Sequence, residues 1–130
     1  MTTKVIDPAG LWRSPRYAHI VTSGGLAFIA GQTAFDEQGN VVGVGDITTQ
    51  CERTFANLNL CLREIGATPQ DIVKVTNYVT DRAYLQTLRE VRNRMWGELR
   101  TASTAVVAGL AMDTLMVEVD AIVALPGSRV

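Results

Sequence analysis

Glu118 and Asp120 stand two residues apart in the apolar run Leu115–Leu125. In an extended strand, successive side chains point to opposite faces. The odd positions Leu115, Val117, Val119, Ala121, Val123 and Leu125 are all apolar and are expected to face a core. The even positions Met116, Glu118, Asp120, Ile122 and Ala124 mix two carboxylates with apolar side chains. A face open to water does not usually carry that mixture; a face covered by another subunit does. A carboxylate partly buried at such a contact has its pKa pushed upward. A Glu in that environment exchanges protons near neutral pH. Glu118 is therefore a residue whose setting could support proton transfer. Spacing alone is met as well by a solvated glutamate or by half of an intersubunit ion pair, and on spacing alone those plainer readings are favoured.

Other polar residues carry weaker signals. Tyr17 follows Pro15-Arg16 at the mouth of a β-rich run; alone, such a Tyr is usually a packing residue with a wet hydroxyl. His19 is the only histidine. It has no cluster of metal-ligand spacing around it, so no metal site is expected, and a lone strand histidine is more often structural than catalytic. Gly31-Gln32 ends a strand, where glycine permits close approach of a ligand or a neighbouring chain. Arg82, Arg89 and Arg100 fall on one flank of a predicted helix. A solvated edge explains them better than a phosphate stripe, because Glu90 and Glu98 dilute the charge. There is no phosphate loop, nucleotide-binding glycine fingerprint or nucleophile elbow.

These residues need elements to hold them. His19–Ser23 and Leu26–Thr33 read as strands, with Gly24-Gly25 as a tight hairpin. Asp36–Asn40 is a turn, and Val41-Val42 is a candidate third strand. The first twenty residues, with Pro8, Gly10 and Pro15, are expected to be irregular. From Asp46, Ile47, Cys51, Phe55, Leu58, Leu62 and Ile65 recur at helical spacing. Asp46 suits the N-cap and Gly66 the C-terminal cap, with Pro69 following. Ile72–Thr80 reads as a strand with Val73, Val75 and Val79 on one face. Asp81 can cap a second helix with the stripe Leu85, Leu88, Val91, Met95 and Leu99. Ser103–Leu110 and Leu115–Leu125 are the last strands. The order implies an α+β fold: one sheet with both helices on one face.

The bulk numbers fit one domain spanning residues 1–130. Hydrophobic residues make up 47% and charged residues 19%, apolar enough to suggest a buried subunit contact. A net charge of -1 offers nucleic acid or an anionic membrane no global attraction. Cys51 and Cys61, ten residues apart in one predicted helix, are separated by roughly 15 Å, too far for a disulfide. That suits a reducing compartment. No apolar stretch is long enough to span a bilayer, and the first ten residues lack the apolar run of a signal peptide. A cytoplasmic protein is expected.

Several segments, taken in order, resemble the Rid family, also called the YjgF/YER057c/UK114 family. Ser14-Pro15-Arg16-Tyr17-Ala18-His19 resembles its N-terminal Pro-Tyr segment, with one residue inserted. Phe28–Thr33 resembles its Ser-Gly-Gln strand, Ile72–Asp81 its central strand, and Val117–Ile122 its closing signature of alternating acids. The resemblance covers nearly the whole chain. It implies a chorismate-mutase-like fold with a mixed sheet, a homotrimer, and small-molecule clefts at the subunit contacts. The family's deaminases hydrolyse enamines and imines without cofactor or metal. Their Tyr, Gly and Glu match Tyr17, Gly31 and Glu118, and the Glu is thought to position or activate water. Gln32, Ser103 and Thr104 are further candidate binding residues, and Tyr17, Gly31, Gln32, Ser103 and Glu118 are expected to border one intersubunit cleft.

One departure matters. The family's deaminases carry an arginine in a Pro-Ala-Arg-Ser segment, where this chain reads Thr101-Ala102-Ser103-Thr104. Counted back from Glu118, Ser103 takes the arginine's place. A serine cannot reproduce a bidentate guanidinium clamp on a carboxylate. A standard 2-imino acid deaminase is therefore not expected. Arg16 and Arg100 are near in sequence, but nothing in the sequence places either in the cleft. Two readings stay open: a cofactor-free hydrolase of an enamine, imine or related metabolite, and a non-catalytic trimer binding a metabolite or a protein. An endoribonuclease or translation inhibitor has less support, with few aromatics for stacking bases.

Overall fold

The structure, a computed structural model, describes residues 3–127. Six strands form one sheet: β1 (Lys4–Ile6), β2 (Ile20–Ser23), β3 (Leu26–Gln32), β4 (Ile72–Val79), β5 (Ala102–Val107) and β6 (Val117–Ala124). Two helices, α1 (Ile47–Glu64) and α2 (Leu85–Trp96), complete the fold. The strand order is β1-β2-β3-β6-β4-β5. Only β4 and β5 pair in parallel, linked by the α2 crossover; the other neighbours are antiparallel. The sheet is mixed, as expected.

Local chemistry accounts for the joints. Gly24 and Gly25 both sit at positive φ, 59° and 81°, which the two-residue turn between β2 and β3 requires. The Asp46 carboxylate accepts from Thr49 N at 3.2 Å and caps α1. At its other end Gly66 turns left-handed, and Ala67 N donates to the Leu62 carbonyl at 2.9 Å. Asp81 caps a short 3-10 turn, Arg82–Tyr84, which runs on into α2.

The core lies between the helices and one face of the sheet. From α1 it takes Cys51, Phe55, Leu58, Cys61 and Leu62; from α2, Leu88, Val91 and Trp96. The Trp96 ring meets Phe55 edge-on at 4.8 Å and its Nε1 donates to Asn59 Oδ1 at 2.7 Å. The odd residues Val117, Val119, Ala121 and Val123 of β6 are buried against this layer. Both cysteine thiols are free, and burial pushes each up to about 12. No described helix is long and apolar enough to cross a membrane.

Several features differ from expectation. Lys4–Ile6 forms an edge strand on β2, where an irregular start was expected; residues 1 and 2 lie outside the described range. Val41 makes a single bridge to Phe35 and founds no strand. β5 stops at Val107 and β6 begins at Val117, so Leu115 is buried but precedes its strand. In β4 the register slips between Ile72 and Lys74. This bulge gives β4 one extra residue. It turns Val73 outward, 48% exposed, and turns Ile72 inward with Val75 and Val79. Leu99 also lies beyond α2, which ends at Trp96 before Gly97.

Candidate functional site

A second irregularity shapes the site. Between Ile29↔Ala121 and Gln32↔Val119, β3 carries one residue more than β6. Ala30 and Gly31 occupy this bulge. The Glu118 side chain folds over Gly31: a β-carbon there would lie 2.7 Å from Glu118 Cδ and closer still to Oε2. Gly31 has no left-handed φ. Lack of room, not backbone conformation, demands the glycine.

Above Glu118 opens a cavity of about 380 Å3. Ser14, Arg16 and Tyr17 approach from the segment before β2, Thr33 and Phe35 from the end of β3, and Met112 and Leu115 from the connection before β6. Trp12 packs edge-on against Phe35 at 6.0 Å and closes one wall. The lining is largely apolar, so the few polar groups act in a poorly hydrated space. Burial, and then the charge of Asp120, raise the Glu118 pKa from its ordinary value. Burial, and then Glu118 and Asp7, also raise the Tyr17 phenol. Tyr17 thus keeps its proton as a potential donor near Glu118.

His19 and Gln32 hold this arrangement from behind. His19 Nε2 lies 2.7 Å from the Trp12 carbonyl, which can only accept. The ring must therefore donate there, leaving Nδ1 to accept from Gln32 Nε2 at 3.0 Å. The same Gln32 amide donates to the Ala30 carbonyl at 3.1 Å, at the bulge. Both side chains are buried. His19 is structural here, tying residues 12–17 to the end of β3. Asn57 does the same for the next stretch, donating to the carbonyls of Thr33 and Phe35 at 3.0 and 3.1 Å.

Of the residues singled out in the sequence, Tyr17, Gly31 and Glu118 meet in one cavity. Gln32 lies beneath it with its amide turned inward. Ser103 and Thr104 do not reach it within one subunit. Ser103 pairs with Val75, an inward-facing residue, so it lies on the helix side of the sheet; Asn77 Nδ2 donates to its Oγ at 3.1 Å. Glu118 pairs with Tyr78 on the opposite face. Within one chain Ser103 and Glu118 stand across the sheet, so the expected intersubunit cleft would bring them together only from different subunits. Thr104 pairs with Thr76 on the Glu118 face, but β4 separates it from β6, and its hydroxyl accepts from Lys74 Nζ.

Sequence reasoning left Arg16 and Arg100 open; Arg16 lines the cavity and Arg100 does not. It passed over Tyr78, whose hydroxyl lies 3.5 Å from Asp120 Oδ2 and whose pKa is raised first by that carboxylate. The available signal was the alternation of β4, which puts Thr76 and Tyr78 beside the two acids. Among the described residues no group of three His, Cys, Asp or Glu side chains could hold a metal ion.

A family model described as Endoribonuclease L-PSP matches residues 11–125. A RutC family protein of Pyrococcus abyssi is 32% identical over 106 residues, covering 82% of this chain and 84% of its own. A Thermotoga maritima protein of known structure is 30% identical and superposes with a TM-score of 0.86, covering 98% of this chain and 100% of that one. A Rid protein family member from Yersinia pestis, YyfA, shares the fold, with a TM-score of 0.87 at 21% identity over 95% of this chain and 99% of its own. The matched span holds both helices and every strand but β1, and the chain belongs to the Rid family, whose model carries the Endoribonuclease L-PSP description.

Proposed function

We propose that this protein is a cofactor-free hydrolase of an enamine, imine or related reactive small molecule, working in the cytoplasm as a homotrimer with its cleft completed at the subunit contacts. The observation that carries the reading is the half-buried Glu118, raised in pKa, beneath a largely apolar cavity shared with Tyr17 and Arg16. Imine hydrolysis moves both protons of one water to nitrogen, one as the water adds and one as ammonia leaves. Glu118 takes the proton as the water oxygen bonds to the imine carbon, and the nitrogen is protonated in turn. The resulting carbinolamine gives up its hydroxyl proton, which passes to the nitrogen, and ammonia leaves as the C–N bond breaks and the carbonyl forms. A carboxyl group whose pKa is raised by burial holds a proton more readily than an exposed one, which suits both transfers. Tyr17 would donate a hydrogen bond, and the Arg16 guanidinium would favour an anionic substrate.

The trimer is supported by the uncovered sheet face. Phe28 is 43% exposed and paired with Ile122, and Tyr78 is paired with Val106 on the same side. Large apolar side chains grouped on one face favour burial against another chain. Ser103 in place of the family's arginine argues against a standard 2-imino acid deaminase. That same substitution favours a second reading, in which the trimer binds a metabolite without turning it over. RNA cleavage is the weakest reading, since Glu118 and Asp120 would repel a polyanion.

Ammonia release from a panel of enzymatically generated imines and enamines, with wild-type protein and Glu118→Ala, tests the proposal. Turnover that depends on Glu118 supports it. Saturable binding without ammonia release would favour the binding trimer.

A further inference from the structure

A second cavity, of about 440 Å3, adjoins the one over Glu118. Val44 and Gly45 line it from the loop before α1, Thr80 and Tyr84 from the stretch between β4 and α2, and residues from Gly109 to Met116 from the connection before β6. Met112 and Leu115 line both cavities, so these two side chains form the partition between them. Leu115 is 2% exposed, whereas Met112 is 44% exposed. A methionine side chain is unbranched and turns about three bonds. Met112 is therefore the movable half of the partition.

Gln50 of α1 holds the second cavity in shape. Its side chain is fully buried. Its Nε2 donates to the Thr114 carbonyl at 2.8 Å and to the Gly43 carbonyl at 3.3 Å, and its Oε1 accepts from Met116 N at 2.8 Å. One side chain thus ties the loop before α1 to the connection before β6, which makes the space preformed, as small-molecule sites usually are. The lining is mainly apolar, with Val44, Tyr84, Leu110, Met112, Leu115 and Met116. Its one charged residue, Asp113, is exposed and disfavours an anion. An apolar space with a negative rim suits an uncharged, apolar group. The room is ample, since an apolar cavity of about 150 Å3 takes benzene.

We propose that the ligand held over Glu118 extends an uncharged apolar tail past Met112 into this second cavity, and that Met112 sets how bulky a tail can pass. That the head of this ligand is an imine or enamine rests on the hydrolase reading above; the seat for the tail rests on the shared partition and the Gln50 ties. Tail burial adds affinity in proportion to the apolar area removed from water. A ligand recognised by its tail does not depend on a carboxylate clamp, which accords with Ser103 at the position of the family's arginine.

Two measurements on the full chain test this. In the first, protein carrying 13C at the methionine methyls is titrated with benzyl alcohol and with ethanol. Benzyl alcohol is expected to shift Met112 and Met116 with a Kd of about 1–10 mM, and to leave Met95, packed against the core, unmoved. Ethanol should bind about tenfold more weakly or worse. Val44 is 64% exposed, so Val44→Asp should keep the fold while weakening benzyl alcohol about 3- to 10-fold. In the second, ammonia release above the uncatalysed rate is followed from imines that a flavin amine oxidase makes from propylamine and from 4-phenylbutylamine. Wild type should favour the longer imine about 10- to 100-fold in kcat/KM. Met112→Trp, which blocks the passage, should remove that preference. Unmoved Met112 and Met116 signals, as when another subunit fills the cavity, would overturn the proposal, and so would equal turnover of the two imines. Methyl shifts without ammonia from either imine would keep the seat and end the hydrolase reading.

Discussion

The Glu118 carboxylate occupies the space that a β-carbon on Gly31 would need. The bulge in β3 brings the two together, and each limits what the other can be. Gly31→Ala forces either Glu118 or the β3 backbone aside. It should cost about 1–3 kcal/mol by urea unfolding, as expected of overpacking. Truncating the neighbour should restore room, so the Gly31→Ala/Glu118→Ala double variant should lie about 1–2 kcal/mol above the sum of the single effects. Additive losses would mean that the two side chains do not compete for this space.

Burial makes Glu118 a stability liability at neutral pH. Its folded-state pKa is raised, so the native chain holds a proton to higher pH than the unfolded chain does. Stability is therefore greatest below the unfolded value and declines as pH rises through the folded one. Glu118→Gln should melt about 1–3 °C above wild type at pH 7, a modest figure because the group is only half-buried. The difference should close toward pH 4, near the unfolded value. A gap that widens on acidification would reverse the sign assigned here. In the proposed hydrolysis the same variant should lose about 100-fold or more in rate.

Gln32 is expected to matter for structure first. Gln32→Leu removes the donor that meets His19 Nδ1 and leaves that nitrogen buried without a partner. The cost should be about 1–3 kcal/mol in urea unfolding. Loosening of the His19–Trp12 tie should also appear as a red shift in tryptophan emission.

The uncovered face predicts the assembly. Light scattering at micromolar concentration should return three times the chain mass. Phe28→Asp, which puts a charge among Ile122 and its neighbours, should shift the protein toward monomer while far-UV circular dichroism keeps its helix and strand content. A wild-type monomer at that concentration would remove the intersubunit cleft from the functional proposal.

Where pattern and period were strong, the sequence was a sound guide to the fold. The alternation of β6, the α1 stripe from Cys51 to Leu62 and the paired glycines at 24 and 25 are all realised. Each reports a repeating constraint, burial on one face or positive φ, that leaves a mark at every turn of the element. Val73 fails for the opposite reason. A bulge is a single extra residue opposite a partner strand, and nothing in the run Ile72–Val79 announces where β6 will skip. β1 was missed because three residues on an edge bury little and pair with only one neighbour.

The site divides the same way. Glu118 was legible because a carboxylate interrupts an apolar strand, and Tyr17 and Gly31 because a family pattern holds them in order. Ser103 was legible as a substitution but not as a location. Its face depends on the parallel register of β5 against β4, a tertiary fact that no local spacing carries. Arg89 read as part of a solvated edge because helical phase shows which residues share a flank, not which strand will lie beneath them.

The two thiols of α1 offer an internal clock. At a pKa of about 12 and with no exposed surface, Cys51 and Cys61 present almost no thiolate to an alkylating reagent. Because the helix covers them with the sheet, modification must await an excursion that lifts α1 from its bed. When reclosing outpaces labelling, the modification rate tracks the equilibrium population of that opened form. Alkylation followed by mass spectrometry would thus report the opening free energy at two points ten residues apart on one helix. Equal values would mean that α1 detaches as a unit, and unequal ones that it frays from one end.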